Sequence, residues 1–397
     1  MVENGGQRLP RPPRRIPAGA PPLTQLDTST PRVPQQPPPR PPWKFGRFLA
    51  GFIVVLVVLA VGASAGWWYR AQSLRINTVD VLESVGHGVV RVLATTCEGT
   101  GEASGVLLED NLVLTATSAI KQPLAIVIVT PDNKIRRANL LGNSSDGVAV
   151  LHVIGQLDDT PVPLAAADPD PKAELAQIGY TSAGNQRIQP VGTTEQPRAL
   201  SEVMNAAKLG GPVVDKAGQV VGLVVGDTVP ASTIIGVGKL RGYVAPKSTG
   251  ITPEDGTCQR SRGPQGPVVP ELQVASTPLA MQVQKLLGNY LTLENRQNFK
   301  ALQALYSQQL KKSLTETRDH NSHQTSYFFG AKLTQILPNG SGADVRLAFN
   351  VLFAPTAKGA ENLTCRRLDN VYHLVRQAGV LVINDTDAIP PAQACDS

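Results

Sequence analysis

The pattern of apolar and polar positions divides the chain into distinct regimes. From Phe48 to Tyr69 the sequence is apolar, without a single charged side chain. At about 1.5 Å of rise per residue, such a run crosses a ~30 Å hydrocarbon core as one helix. Beyond it come short aliphatic runs broken by Gly, Asn, Asp and Pro: Ser104–Leu108, Leu112–Ile120, Ala125–Val129, Gly147–Val153 and Gln219–Val225. Runs of that length bounded by turn residues predict strands. From Gly250 to Pro270 the chain turns to Pro, Gly, Thr and charged residues, as linkers do, and then the period becomes helical. Leu279, Val283, Leu286, Leu287 and Tyr290 form one stripe, and Ser276-Thr277-Pro278 supplies a cap and a proline for its first turn. Asn295 is expected to cap a second helix carrying Phe299, Leu302, Tyr306 and Leu310. Strands are predicted at Tyr327–Leu337, Val345–Phe353, Leu363–Val375 and Val380–Ile383, with a turn at Pro338-Asn339-Gly340. Helices followed by a curved antiparallel sheet make an α+β domain.

The domain plan that follows is a tail at 1–46, a membrane helix at 47–69, a β domain at 75–250, a linker at 251–273, an α+β domain at 274–389 and a C-terminal tail at 390–397. Composition refines it. The tail is rich in Pro, Arg and Gln and has too little apolar surface to offset ordering entropy, so it is expected to be disordered. Pro10-Arg11-Pro12-Pro13 and Pro39-Arg40-Pro41-Pro42 fit P-x-x-P and make a polyproline-binding partner a candidate beside a plain solvated tail. The formal charge is +6, and the tail alone, through Arg47, carries that excess. The folded remainder is near neutral, which argues against a nucleic-acid partner. Basic residues on the N-terminal side of the apolar run, with Trp43 before it and Trp67, Trp68 and Tyr69 at its end, predict a single-pass cell-membrane protein. Its N-terminus would be cytoplasmic and its domains extracytoplasmic. The alternative is a cleaved signal, since Ala63-Ser64-Ala65 resembles an A-x-A site.

The β domain has a more specific signature. Asn205-Ala206-Ala207-Lys208-Leu209-Gly210-Gly211-Pro212-Val213-Val214 resembles the G-[D/N]-S-G-G-P element of chymotrypsin-type serine proteases, the HtrA (DegP) branch above all. Ser104–Leu108 with Leu112–Ile120 is similar to the family's S-G-[FV] strand followed by L-T-A-A-H, and Gly147-Val148-Ala149-Val150-Leu151-His152-Val153 to its D-L-A-V-L-K-V. The resemblance implies an all-β, chymotrypsin-like double barrel over about residues 75–250. It also places the catalytic histidine, aspartate and serine on Ser118, Gly147 and Leu209. None of these side chains can do the work of the residue it replaces. Leucine has no lone pair to attack a carbonyl, and loss of a whole triad costs about 10⁶ in turnover. The expectation is a non-enzymatic pseudoprotease, with Ala207, Lys208, Leu209, Gly210 and Gly211 as a candidate binding groove for a peptide or protein. The rival is a serine endopeptidase with a displaced triad, in which Asp146 slips into register. Of the histidines in this domain, His152 is expected on a strand face with Val150 and Ile154, and His87 at a turn before a strand.

Four cysteines fit an oxidising exterior. Pairing within domains gives Cys97–Cys258 and Cys365–Cys395. No spacing resembles a C-x-x-C site, so neither a metal nor a cofactor is expected. His320 and His323 are placed in a polar loop, and His373 on a strand in a structural or exposed role.

The C-terminal region resembles the nuclear-transport-factor-two-like (SnoaL-like) cone fold. Asn289-Tyr290, Asn298–Leu302 and the closing Tyr372–Ile383 hairpin carry that likeness, with Leu381 where the family has tryptophan. Cone folds host enzymes and binding modules alike, so a small hydrophobic ligand in this domain is a second alternative function. The organisation as a whole resembles actinobacterial cell-envelope proteins.

Overall fold

The computed structural model describes residues 45–97, 99–157, 160–200, 209–228, 231–246, 248, 250–254, 267–357, 360 and 363–396. Most of the N-terminal tail and its P-x-x-P segments therefore lie outside the described residues, as do Ala207, Lys208 and Cys258.

Helix α1 (Phe45–Ser73) contains the apolar run. It begins inside the predicted tail and continues four residues past the predicted end at Tyr69, through Arg70, Ala71, Gln72 and Ser73, none of which breaks a helix. It is the one helix among the described residues that is long and apolar enough to cross a membrane, over Phe52–Ser73. Its large side chains from Phe52 to Tyr69 are exposed.

Past α1 the chain is tied to the β domain: Glu174 N–H donates to Leu74 O at 2.9 Å, and Ile76 N–H to Glu174 Oε2 at 3.0 Å. Helix α2 (Thr78–Val85) is capped by Asn77 and buries Val81 and Val85. Six antiparallel strands then close a barrel: β1 (Val89–Thr96), β2 (Gly99–Leu107), β3 (Leu112–Ala116), β4 (Pro123–Val129), β5 (Ile135–Asn143) and β6 (Val148–Val153), in the order β1-β2-β3-β6-β5-β4. Closure leaves no free edge, and the strands are apolar on both faces over much of their length because the interior is one core and the outer face is covered by other elements. The second half is a five-stranded sheet among the described residues, with order β11-β10-β9-β7-β8. Its strands are β7 (Leu175–Tyr180), β8 (Gln186–Gly192), β9 (Pro212–Val214), β10 (Val220–Val225) and β11 (Thr233–Gly236). Among the described residues, this half of the expected double barrel is a sheet that is not closed. One core joins the halves: Val106, Leu114, Val148 and Val150 pack with Ile178, Val213, Leu223 and Val225. Helix α3 (Val237–Val244) follows, burying Val237, Leu240 and Tyr243.

The predicted linker is only partly one. Thr252 bridges to Asn143 of β5, Val268 N–H donates to Thr292 Oγ1 at 2.8 Å, and β12 (Glu271–Leu272) pairs with a later strand. The long helix α4 (Pro278–Asn295) starts at the Thr277 cap and buries Val283, Leu286 and Leu287 of the predicted stripe, with Leu279 and Tyr290 partly buried at its ends. Asn295, the expected cap of the next helix, is instead the last residue of α4. Its side chain bonds both Phe328 N and Phe328 O, at 2.7 and 2.8 Å. Asn298 does the capping, accepting from Ala301 N at 3.1 Å. The expected second helix is broken into α5 (Phe299–Leu302), a 3₁₀ turn, and α6 (Leu310–Ser313), because Tyr306 leaves the helical path to bridge Ile383. Helix α7 (Glu316–His323) replaces the predicted polar loop; Thr315 caps it, accepting from Arg318 N. Against these helices lies the sheet β12-β13-β14-β15-β16, formed by β13 (Tyr327–Asn339), β14 (Gly342–Leu352), β15 (Cys365–Gln377) and β16 (Val380–Ala388).

The C-terminal tail is also structured. Strand β17 (Gln393–Ala394) pairs with β15, and Cys395 is bonded to Cys365. Cys97 is in a disulfide as well. The two domains share a further apolar cluster in which Leu93, Ala125, Val127 and Ile135 of the barrel meet Tyr327, Phe329, Leu352 and the Cys365–Cys395 bridge. Thr95 Oγ1 donates to Thr325 O at 2.6 Å, and Arg137 Nε pairs with Asp396 at 2.6 Å.

Candidate functional site

The strand order brings the three expected triad positions to the seam between the barrel and the five-stranded sheet. Ser118 sits in a 3₁₀ turn, Thr117–Ala119, directly after β3. The neighbouring Thr117 N–H donates to Gly147 O at 2.9 Å, which places the start of β6 beside that turn. Gly147 has φ +84° and packs against the side chain of Val225 in β10. That backbone favours glycine, so an aspartate here would be strained as well as absent. Leu209 enters the seam from the other side. Its carbonyl accepts from Ser104 N at 2.8 Å, Gly210 N–H donates to Val224 O at 2.7 Å, and Gly211 O accepts from Val224 N at 3.1 Å. The segment is therefore laced between β2 and β10. Gly210 is obligatory, since its φ is +84° and a Cβ would lie 2.3 Å from Ser104 O.

Leu209 is 9% exposed and belongs to the core that includes Ala116, Val148, Val213 and Val225. The position expected for the nucleophile is thus filled with packed hydrocarbon. Two buried hydroxyls at this seam are committed to structure: Thr115 Oγ1 donates to Ser104 O at 2.6 Å, and Ser104 Oγ accepts from Tyr180 N at 2.8 Å. Both are fully buried.

Asp146 is the carboxylate that the displaced-triad alternative would use. Asp146 is an ion-pair partner of Lys239 Nζ at 3.0 Å and accepts a hydrogen bond from Tyr243 Oη, both on α3. The Tyr243 hydroxyl first, and Lys239 second, hold its carboxyl below the usual carboxylate range. His152 is exposed on β6, between neighbours Leu151 and Val153 that are buried, and His87 is exposed in the 3₁₀ turn Gly86–Gly88. Neither belongs to the core around Leu209. Of the candidate groove, Leu209, Gly210 and Gly211 are buried, so they form no open groove floor.

The α+β domain holds a charged cluster that the sequence reading missed. Glu294 at the end of α4 meets Asp319 and His323 of α7. His323 Nδ1 lies 3.1 Å from Asp319 Oδ1 and 3.6 Å from Glu294 Oε1. Tyr306 Oη donates to Asp319 Oδ2 at 2.7 Å. Burial pushes the Glu294 carboxyl up to about 8, the His323 imidazole works against that, and the Asp319 charge adds to it. Burial also disfavours the His323 imidazolium, but Asp319 and Glu294 outweigh it and raise the group above its ordinary value. The one legible signal was the i, i+4 spacing of Asp319 and His323. That spacing carries meaning only on a helix, and the polar composition of the stretch predicts a loop. His320, by contrast, packs edge-on against Phe299. His373 stands on β15 between Asp344 at 2.7 Å and Asp387 at 3.0 Å, which hold its imidazolium above the ordinary range. A groove of about 780 Å³ runs along the outer side of α4, past Val268, Val269, Met281 and Lys285.

Comparison with known proteins agrees with the first half of the fold. Residues 103–223 match the family model for the trypsin-like peptidase domain. The chain thus carries a trypsin-like domain with an all-β barrel, preceded by one helix of membrane-crossing length. Among solved structures, it is similar to the active form of the Rv3671c protease from M. tuberculosis at 22% identity, covering 44% of this chain and 86% of that one, with a TM-score of 0.36. The inactive form of the same protease matches at 22% identity, over 42% and 91%, with a TM-score of 0.35. No curated protein sequence matches.

If Leu209 is core, truncating it is costly. Removing a packed leucine side chain costs about 2–5 kcal/mol, which in a domain of this size lowers the melting midpoint by several degrees. Leu209→Ala should show that drop by differential scanning calorimetry of the full-length chain in detergent. A variant that melts with the wild type would mean that Leu209 lies over an open cleft.

Proposed function

We propose that this chain is a membrane-anchored, extracytoplasmic binding or scaffold protein built on a catalytically silent trypsin-like domain. The observation that carries this reading is the packing of Leu209 in the core at the position where the fold otherwise presents its nucleophile. Ser118 and Gly147 remove the base and its orienting carboxylate, and Asp146 is engaged by Lys239 and Tyr243. With no alkoxide to form, what remains to the domain is recognition. The α+β half, read as a cone-type fold, is docked on the barrel through the Tyr327–Phe329 cluster and would present its own surface beside it. The rival, an active serine endopeptidase, needs a nucleophilic hydroxyl with a base in reach. Neither Ser104 nor Thr115 offers one, because both hydroxyls are buried in backbone hydrogen bonds.

The activity test is covalent. A fluorophosphonate probe applied to the full-length protein in detergent should label no serine in residues 75–250 faster than in a heat-denatured sample, and casein should stay intact. Specific labelling of a serine in that range, with casein cleavage, would establish the endopeptidase reading instead.

The proposed orientation follows from the basic tail. An engineered Ser29→Cys should resist a membrane-impermeant maleimide in intact cells and react after lysis. Reaction in intact cells would reverse the topology, and a mature N-terminus near Gly66 would indicate a cleaved signal.

A further inference from the structure

We propose that Glu294, Asp319 and His323 form a binding site for one divalent first-row metal cation, with zinc the leading candidate. The expectation of no metal rested on cysteine spacing, and this site contains no cysteine. Its three residues come together only through the fold: Glu294 from the last turn of α4, and Asp319 and His323 one turn apart on the same face of α7.

The geometry suits a small cation. One ligand atom from each residue lies within 4.8 Å of the others, and His323 Nδ1 is 3.1 Å from Asp319 and 3.6 Å from Glu294. Zinc holds nitrogen and oxygen donors at about 2.0–2.1 Å in a tetrahedron, which sets donor–donor edges of roughly 3.3 Å. A cation placed between these three atoms would need little movement of the side chains. The donor set of one imidazole and two carboxylates is of the nitrogen–oxygen type that zinc, manganese and iron accept.

The second observation is independent of that spacing. Glu294 is fully buried, and neither of its carboxylate oxygens has a hydrogen bond of ordinary geometry among the described residues. The Tyr290 hydroxyl approaches and eases the group only slightly. His323 at 3.6 Å is beyond hydrogen-bond length. A buried carboxylate without a well-formed hydrogen bond is costly, so an ionised Glu294 calls for positive charge at this point, which His323 at 3.6 Å supplies only when protonated. With a neutral imidazole the cluster carries two negative charges, which one divalent cation neutralises.

The surroundings resemble the outer support of a metal site. Tyr306 fixes Asp319 by donating to Oδ2, which leaves Oδ1 turned toward His323. Half-buried Tyr290 and buried Tyr372 line the Glu294 side. Phe328 packs edge-on to the His323 ring. The His323 side chain is 30% exposed and gives a cation a way in from solvent.

The experiment uses untagged full-length chain in detergent, stripped with chelator, incubated with zinc chloride and desalted. Elemental analysis should find one zinc per chain, and zinc should raise the melting midpoint. Glu294→Gln and His323→Gln, which keep side-chain size, should each weaken retention by about tenfold or more. His373→Gln, at the exposed Asp344–His373–Asp387 group, should bind like the wild type. Wild-type chain that retains no zinc and melts unchanged overturns the proposal, whatever the variants do. So does zinc binding that survives Glu294→Gln or is lost in His373→Gln. Affinity should also rise with pH, since the cation must displace protons from this cluster, and a flat pH profile would count against it.

Discussion

The lacing of Leu209–Gly211 between β2 and β10 is the constraint on which the trypsin-like domain depends. Three backbone hydrogen bonds fix the segment: Ser104 to Leu209, Gly210 to Val224 and Val224 to Gly211. They draw the closed barrel and the five-stranded sheet onto one core. Gly210 permits this because a side chain there would collide with the Ser104 carbonyl. In a catalytic domain such a path would aim a polar nucleophile at solvent. Here the side chain it carries is leucine, and the same path drives it inward. Burial of one leucine contributes about 1.5–3 kcal/mol, and a serine turned the same way would give up most of it.

A second constraint is the joint between the domains. The apolar cluster around Leu93, Val127, Tyr327 and Leu352 is closed on its far side by the Cys365–Cys395 bridge and by the Arg137–Asp396 pair. A C-terminal segment that would otherwise be free is thereby made part of the barrel's surface. The partly exposed Arg137–Asp396 pair is worth little by itself. Its role is to hold β17 and Cys395 in place over apolar residues that do the larger share.

Much of this was legible in the sequence. The apolar run without charge marked α1, and the glycine-proline punctuation around Val213 marked the trypsin-like seam. The Leu279–Tyr290 stripe with its Thr277 cap marked α4. What escaped reading depended on distant partners. Asn295 looks like a cap because the residues after it are helical, yet its amide satisfies the backbone of Phe328, far along the chain. Tyr306 continues the helical spacing, but its tertiary bridge to Ile383 breaks the helix. The linker looked free because β12 gains its partner only when β13 forms. The Glu294–Asp319–His323 cluster was hidden because polar residues with no apolar stripe read as loop. The expected triad positions rest on motif alone, whereas the burial of Leu209 needed the structure.

The central claim is that the nucleophile position is a closed, packed seam in the native state. Amide hydrogen exchange at Ser104 and Gly210 measures that closure directly, since both N–H groups are donors in the lacing. The account predicts that they exchange only through global unfolding, at the slow rate of the β3 and β6 core amides. Exchange orders of magnitude faster than that core, under conditions where the barrel stays folded, would show that the seam opens by itself and would contradict the account.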